Sequence, residues 1–130
     1  MPTDPITDVA ASDSLETLRT VTNTNHDRRF WMNVSVQTAD YTVAAGVDCV
    51  MVDVPAATTV TVSLPDGATE NSGRQILVVA RTVGASGQLD VDCTDGSDTV
   101  DGSSSVSKTA VGHWLLMSDG TSDWMIVATA

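Results

Sequence analysis

Residues 48–64 read DCVMVDVPAATTVTVSL and contain two adjacent strand patterns. Up to Val54 the stretch is almost continuously apolar, which is typical of a strand that is covered on both faces. After Pro55, residues 58–64 alternate between apolar and polar side chains, as expected for a strand with one buried face. The stretch therefore predicts two consecutive β-strands.

Strand patterns recur at short spacing on both sides of this stretch. The composition agrees, since nineteen valines and eighteen threonines favour pleated strands over helices. Residues 65–67, Pro-Asp-Gly, predict a turn in which proline fixes φ and glycine allows a positive φ. Further strands are predicted at residues 30–37 (with Phe30, Met32, Val34 and Val36 on one side), 41–46, 74–83, 89–93, 111–118 and 124–130, with a very short one around Val100.

Eight or nine short strands separated by Gly, Pro and Asp turns predict an all-β fold, specifically an antiparallel β-sandwich or a jelly-roll-like domain. The sequence offers no long helix to connect parallel strands, so the sheets are expected to be largely antiparallel. A chain of 130 residues is long enough for one core. We assign residues 29–130 to this β-sandwich domain.

Residues 1–28 differ from the rest and are interpreted as a short N-terminal arm. Asp13 and Glu16 resemble the start of a short helix, in which Leu15 and Leu18 form one apolar stripe. Such a helix is either a docking segment that orders against a partner or an ordinary packed helix. Both interpretations remain open from the sequence.

The formal net charge of −11 comes from seventeen acidic residues against six basic ones, and Lys108 is the sole lysine. An acidic surface repels phosphate backbones, which disfavours nucleic-acid binding, and no nucleic-acid partner is predicted. Fifteen of the acids are Asp, which indicates either acidic turns or adaptation to high salt, as in a halophilic host. No secretory signal and no membrane-spanning segment is recognised in the sequence.

Asp92, Asp95, Asp98 and Asp101 are the most suggestive chemical feature, because clustered carboxylates can bind Ca²⁺. They are weak candidates, since no known calcium-loop pattern is present, and the alternative is that they stabilise turns. Cys49 and Cys93 match no metal spacing and are expected to be free thiols. His26 and His113 lack a neighbouring nucleophile or zinc motif, so no catalytic residue is assigned and no enzyme is predicted.

Two further features have more than one interpretation. Trp31, Trp114 and Trp124 are predicted to anchor a core or an interface, with stacking on a sugar as the alternative. Arg28 and Arg29 form a small basic spot in an acidic chain. This spot either pairs with an acidic neighbour across a subunit contact or is solvated.

Four ordered motifs cover about residues 41 to 128. They are YTVAAGVDCVMVDVPAATTVTVSLPD (41–66), GRQILVVA (73–80), SDTVDGSSSVS (97–107) and LLMSDGTSDWMIVA (115–128). In this order the chain resembles a β-structured module of tailed-virus virion proteins, namely capsid decoration proteins and head or tail fibres. The Asp richness, the Ser122-Asp123 insertion and the lack of a fibre shaft depart from that pattern.

The resemblance implies a virion structural protein that assembles as a homotrimer. Asp98, Asp101 and Gly102 match the turn of the module, while Asp119, Gly120 and Trp124 match its final hairpin. The resemblance brings no catalytic residue and no cofactor.

A single module with a short arm is most similar to a capsid decoration protein on the exterior of the head, made in the host cytoplasm. Leu15, Leu18, Arg28 and Arg29 are then the candidates for docking on the major capsid protein or another virion protein. The alternative is a receptor- or glycan-binding tip of a tail or head fibre, with loops 84–88 and 95–105 as the binding surface. A small hydrolase using the Asp cluster is a third hypothesis, but these carboxylates lie among Ser, Thr and Gly rather than in an apolar pocket.

Overall fold

The structure, a computed structural model, describes residues 32–70 and 72–130. The arm, residues 1–28, lies outside this range, and so do His26 and Trp31. Within the described ranges the chain contains ten β-strands and no helix, so no helix there is long and apolar enough to cross a membrane. The strands are β1 (Val34–Gln37), β2 (Tyr41–Thr42), β3 (Cys49–Val54), β4 (Thr59–Leu64), β5 (Gln75–Val83), β6 (Gln88–Cys93), β7 (Thr99–Val100), β8 (Ser105–Lys108), β9 (Gly112–Ser118) and β10 (Asp123–Thr129).

The strands form two sheets, and the predicted all-β class is confirmed. One sheet has six strands in the order β1-β3-β5-β9-β10-β7, and the other has four in the order β2-β4-β6-β8. From β1 to β6 the chain alternates between the sheets, so that each strand pairs with the strand two places earlier. Strand β8, residues 105–108, was not predicted, because Val106 is its one apolar residue.

The expectation of antiparallel sheets is wrong, because both sheets are mixed. The β1–β3, β3–β5, β2–β4, β4–β6 and β7–β10 pairs are parallel. The β5–β9, β9–β10 and β6–β8 pairs are antiparallel. Parallel neighbours need a crossover connection, which is usually a helix. Here a strand of the other sheet serves as the crossover, and this is why the lack of helices did not exclude parallel pairing.

The core contains alternate residues of strands from both sheets. Val50, Val52 and Val54 of β3 are buried, and so are Val60, Val62 and Leu64 of β4, as the period of two predicts. The same apolar cluster includes Trp114 and Trp124, which confirms that these two are core residues. The indole N–H of Trp124 donates to the Pro65 carbonyl at 3.0 Å, which satisfies its polar atom inside the core.

Two crossovers between the sheets stack on each other. Gly84 N donates to the Val54 carbonyl at 2.8 Å, and Ala57 N donates to the Ala85 carbonyl at the same distance. These bonds join the β3–β4 connection to the β5–β6 connection. They keep successive crossings in register at one edge of the molecule.

Candidate functional site

The outer surface of the four-stranded sheet is polar, and we call it the polar face. Its side chains alternate with the buried residues of β4 and β6. Ser63 Oγ donates to Asp92 Oδ1 at 2.6 Å, and the Gln88 amide donates to Asp90 Oδ1 at 2.6 Å. Hydrogen-bonded hydroxyl and carboxylate groups of this kind keep a sheet surface hydrated. The polar face consists of Thr59, Thr61, Ser63, Asp90, Asp92, Ser105 and Ser107.

Much of the outer surface of the six-stranded sheet is apolar, and we call this part the apolar face. Gln75, His113 and Asp123 lie on the same side of the sheet around it. On β3, β5, β9 and β10 its members alternate with more deeply buried residues, and all of its members are half-buried or exposed. Neighbouring members lie side by side in register, as Val36, Met51 and Val79 do across β1, β3 and β5. The apolar face consists of Val34, Val36, Met51, Leu77, Val79, Leu115, Met117 and Met125.

Two of the carboxylates near the apolar face, Asp53 and Asp48, are paired with arginines. Arg81 Nε donates to Asp53 Oδ1 at 2.9 Å, and Thr82 Oγ1 donates to the same oxygen. The hydrogen bond from Arg81, with help from Thr82, lowers the pKa of Asp53 to about 2. At the other end, Arg74 Nη1 lies 3.3 Å from Asp48 Oδ1. The face therefore carries compensated charge at its margins.

Three carboxylates meet where β4 and β6 end. Parallel pairing of these strands aligns Leu64 with Cys93, so the turns that follow both strands lie at one edge of the sheet. Oxygens of Asp66, Asp95 and Asp98 all lie within 4.8 Å of one another. The sequence named Asp95 and Asp98 but missed Asp66, because antiparallel strands would not have brought the two turns together. Asp92 and Asp101 are outside this group.

Hydrogen bonds to this acidic group come from the turns themselves. Asp98 is only 6% exposed, and its Oδ2 accepts the Gly67 N–H at 2.8 Å. The backbone N–H and then the hydroxyl of Ser97 donate to Asp95, which lowers its pKa. Asp66 accepts the Ala68 N–H at 2.9 Å. All three carboxylates thus stabilise turns, which is one of the two roles that the sequence allowed.

Calcium binding by the acidic group stays a prediction. Ca²⁺ takes roughly six to eight oxygen ligands, more than three monodentate carboxylates supply. Calorimetric titration of metal-free protein with Ca²⁺ tests it, with Asp66→Asn as the variant and Asp92→Asn as the matched control. Binding heat that Asp66→Asn abolishes and Asp92→Asn retains is the result that a calcium site requires. No heat, or heat unaffected by Asp66→Asn, contradicts a site at this position.

The loop between β9 and β10 is organised by a single carboxylate. Asp119 Oδ1 accepts the backbone N–H groups of Thr121, Ser122 and Asp123 at 2.8, 3.0 and 3.1 Å. These bonds, the one from Asp123 first, lower the pKa of Asp119. Gly120 has a φ of +79°, a region that glycine adopts without strain. In the other turn that the sequence singled out, Asp101 and Gly102 both have positive φ, at +51° and +79°.

Acid is expected to destabilise the fold through these carboxylates. Because the folded pKa values of Asp53, Asp95 and Asp119 lie below their unfolded values, their stabilisation is present above about pH 4 and lost as the pH falls through the folded pKa values. We expect the urea midpoint of unfolding to fall between about pH 5 and about pH 2. In Asp119→Asn, which keeps the acceptor oxygen but loses the charge, this dependence becomes shallower.

Asp101→Asn is the control for the pH measurement, since within residues 32–70 and 72–130 no hydrogen bond to the Asp101 side chain is present and asparagine tolerates a positive φ. Its pH dependence is expected to follow that of the unmodified protein. An identical pH dependence for Asp119→Asn and the unmodified protein would show that the Asp119 charge contributes nothing.

Neither cysteine forms a disulfide. Cys49 is buried, and burial, followed by the charge of Asp48, raises its pKa. Cys93 donates to the Thr99 carbonyl at 3.6 Å, and burial together with nearby carboxylates, Asp98 first among them, raises its pKa to about 12. Thiols with raised pKa values are poor nucleophiles at neutral pH.

The residues proposed for docking, Leu15, Leu18, Arg28 and Arg29, lie outside the described residues. His113 lies on β9 and is half-buried, while its backbone N–H donates to the Ala130 carbonyl. The rings of Trp114 and Trp124 are buried, so neither is presented to a sugar.

No protein-family model and no curated protein matches this chain. The contrast between the polar and the apolar face is therefore the main guide to function.

Proposed function

We propose that this chain is a virion structural protein, namely a capsid decoration protein on the exterior of the head of a tailed virus. The observation that carries the proposal is the opposite character of the two outer faces. A small domain with one hydrated acidic face and one apolar face is suited to bind protein on one side and to face water on the other. Synthesis in the host cytoplasm and assembly onto the particle complete this proposal.

At the level of fold we propose a β-sandwich, in which the two sheets pack face to face. Support comes from the single apolar cluster that includes Val52 and Ile76 of the larger sheet together with Val62 and Leu89 of the smaller one. The polar and apolar faces then lie on opposite outer surfaces. The mixed pairing disfavours a jelly roll, which is built from antiparallel Greek keys.

The proposed partners are further copies of this chain, as a homotrimer, and the major capsid protein or another virion protein. Docking on the shell is assigned to the N-terminal arm, with Leu15 and Leu18 as apolar anchors and Arg28 and Arg29 as cationic ones. In a chain with a net charge of −11, this Arg pair is the cationic spot that an acidic shell surface would attract. The same net charge argues against a nucleic-acid partner.

A receptor- or glycan-binding fibre tip remains the alternative. Loop 95–105 favours it, because it combines exposed serines with the positive-φ turn at Asp101 and Gly102. The burial of Trp114 and Trp124 disfavours it, since stacking on a sugar requires an exposed ring. Specific binding on a glycan array that is lost when the loop is altered would favour this alternative.

The location and copy number of the protein in purified particles test the proposed function. Quantitative mass spectrometry and an electron-microscopy reconstruction are expected to find hundreds of copies on the head. A handful of copies confined to the tail would contradict the decoration role.

Rebinding to particles that lack the protein tests the arm. Arg28→Ala/Arg29→Ala is expected to bind less than the unmodified protein, while Thr59→Ala, on the polar face, is expected to bind equally. Equal binding of all three proteins would remove the Arg pair from the docking site.

A further inference from the structure

The apolar face lies on strands that are normally covered on both sides. Parallel sheets occur almost only where both faces are buried, and β1, β3 and β5 are parallel neighbours. In β3 the residues that point into the core are valines, and Met51 points out of it. Within residues 32–70 and 72–130, no second layer packs on the outer side of this sheet. A covering surface from outside the described residues is therefore expected.

The size of the apolar face suits a protein contact. Five strands about 4.8 Å apart, along which the apolar members together span about four residues at roughly 3.3 Å per residue, give an area of roughly 300 Å². Soluble monomers rarely expose contiguous apolar patches larger than a few hundred Å², and a patch of this size often marks an interaction surface. The corrugated side-chain surface adds to this flat estimate.

Charge favours this face over the rest of the surface for association between copies. With a net charge of −11, two copies repel each other over most of their surface. The apolar face is the exception, because its own members are uncharged and Asp53 and Asp48 at its margins are paired with Arg81 and Arg74. Copies that meet through this face bury the same apolar rows. The Asp123 carboxylate on this side of the sheet accepts hydrogen bonds from Thr99 and Gly102. A copy of this chain thus fits the face electrostatically.

The β1 edge continues this face. Val34 and Val36 are its most exposed members, at 45% and 52%, and β1 is an edge strand of the six-stranded sheet. Strand β1 reads VSVQ and carries none of the charged or proline residues that protect an exposed edge from pairing. By contrast, edge strand β8 of the other sheet ends in Lys108. The unprotected edge and the apolar face form one continuous surface.

We propose that the apolar face is the surface through which copies of this chain associate. The inference rests on the self-association included in the proposed function and assigns it to a particular sheet. Packing of a second copy covers Met51, Val79 and Leu115 and shields Val34 and Val36 on β1. The polar face remains in contact with solvent in the assembly.

Light scattering on the 130-residue chain after size-exclusion chromatography tests the proposal. The unmodified protein is expected to have a mass about three times the 13.6 kDa of one chain, as the proposed homotrimer requires. Val36→Asp places an unpaired charge inside the contact and is expected to weaken association at least about 100-fold. Thr59→Asp is the control. Threonine has nearly the same shape as valine, so this variant introduces the same charge with a similar change in shape, but on the polar face. It is expected to retain the assembly.

Circular dichroism and the melting temperature at low protein concentration establish that Val36→Asp is folded. If Val36→Asp is not folded, Val36→Thr is used in its place. This variant exchanges one apolar methyl for a hydroxyl without adding charge, and it is expected to weaken association by a smaller factor.

Three results overturn the proposal: a monomeric unmodified protein, equal association of Val36→Asp and Thr59→Asp, and loss of assembly in Thr59→Asp alone. A monomer means that the face is covered by another protein or by residues 1–31 of the same chain. The oligomeric state is measured without particles. Failure of the proposed association can therefore be distinguished from failure of the decoration role, which is tested by the location of the protein in particles.

Discussion

Gly84→Ala is expected to lower the free energy of unfolding by about 3 kcal/mol, because it forces apart two stacked backbone segments. A Cβ at this position would lie 2.5 Å from the Ala56 nitrogen and 2.7 Å from the Ala56 Cα. Backbone atoms cannot rotate away as a side chain does, so the β5–β6 connection must move off the β3–β4 connection. The hydrogen bond from Gly84 N to the Val54 carbonyl is then lost.

Gly96→Ala is the matched control for this prediction. A Cβ on Gly96 meets no atom within 4 Å, so we expect a change within about 0.5 kcal/mol. Urea unfolding followed by tryptophan fluorescence measures both variants. Equal midpoints for Gly84→Ala and Gly96→Ala would mean that the two connections are not stacked as described.

Trp124→Ala is expected to lower the free energy of unfolding by roughly 3–5 kcal/mol. The ring is fully buried, and its removal leaves a cavity in the cluster that both sheets share. It also leaves the Pro65 carbonyl without the indole donor. Pro65 directly follows β4, so the substitution is expected to destabilise the contact between the β9–β10 hairpin and the smaller sheet.

Trp124→Phe separates the two contributions. Phenylalanine retains most of the apolar volume but has no N–H, so a smaller loss of about 1–3 kcal/mol is expected from the unpaired carbonyl. Met125→Ala, the next residue along β10 but on the apolar face, serves as the control and is expected to cost less than Trp124→Ala. If Trp124→Ala costs no more than Met125→Ala, the core assignment of the indole is wrong.

Alternation along the strands could be read from the sequence, but the direction of pairing could not. Residues 58–64 alternate, and the structure buries Val60, Val62 and Leu64 as the pattern predicts. The same pattern is compatible with a parallel or an antiparallel neighbour, because alternation records only which side chains share a face. Direction depends on whether the connection at Pro55 returns to the same sheet or crosses to the other one.

A similar limit applies to the apolar face and to the acidic group. The sequence placed Val34 and Val36 on one side of a strand, but it did not indicate that this side is exposed in a single chain. The spacing of Asp95 and Asp98 was visible in one loop. Asp66 lies in the turn after β4. It comes close to Asp95 and Asp98, which follow β6, because β4 and β6 run parallel. Contacts between strands distant in sequence are not encoded in local spacing.

Because the chain alternates between the two sheets, a protein of this kind can gain length by the addition of pairs of strands. Strands β3 and β4 form one coil of a short solenoid, and β5 and β6 form the next, each resting on the one before it. Stability in stacked repeats is carried by nearest-neighbour contacts. Duplication of one coil would therefore widen both sheets by a strand and leave every other contact in place. The antiparallel strands β8 and β9 end the stack, so growth of this kind is confined to the coils that precede them.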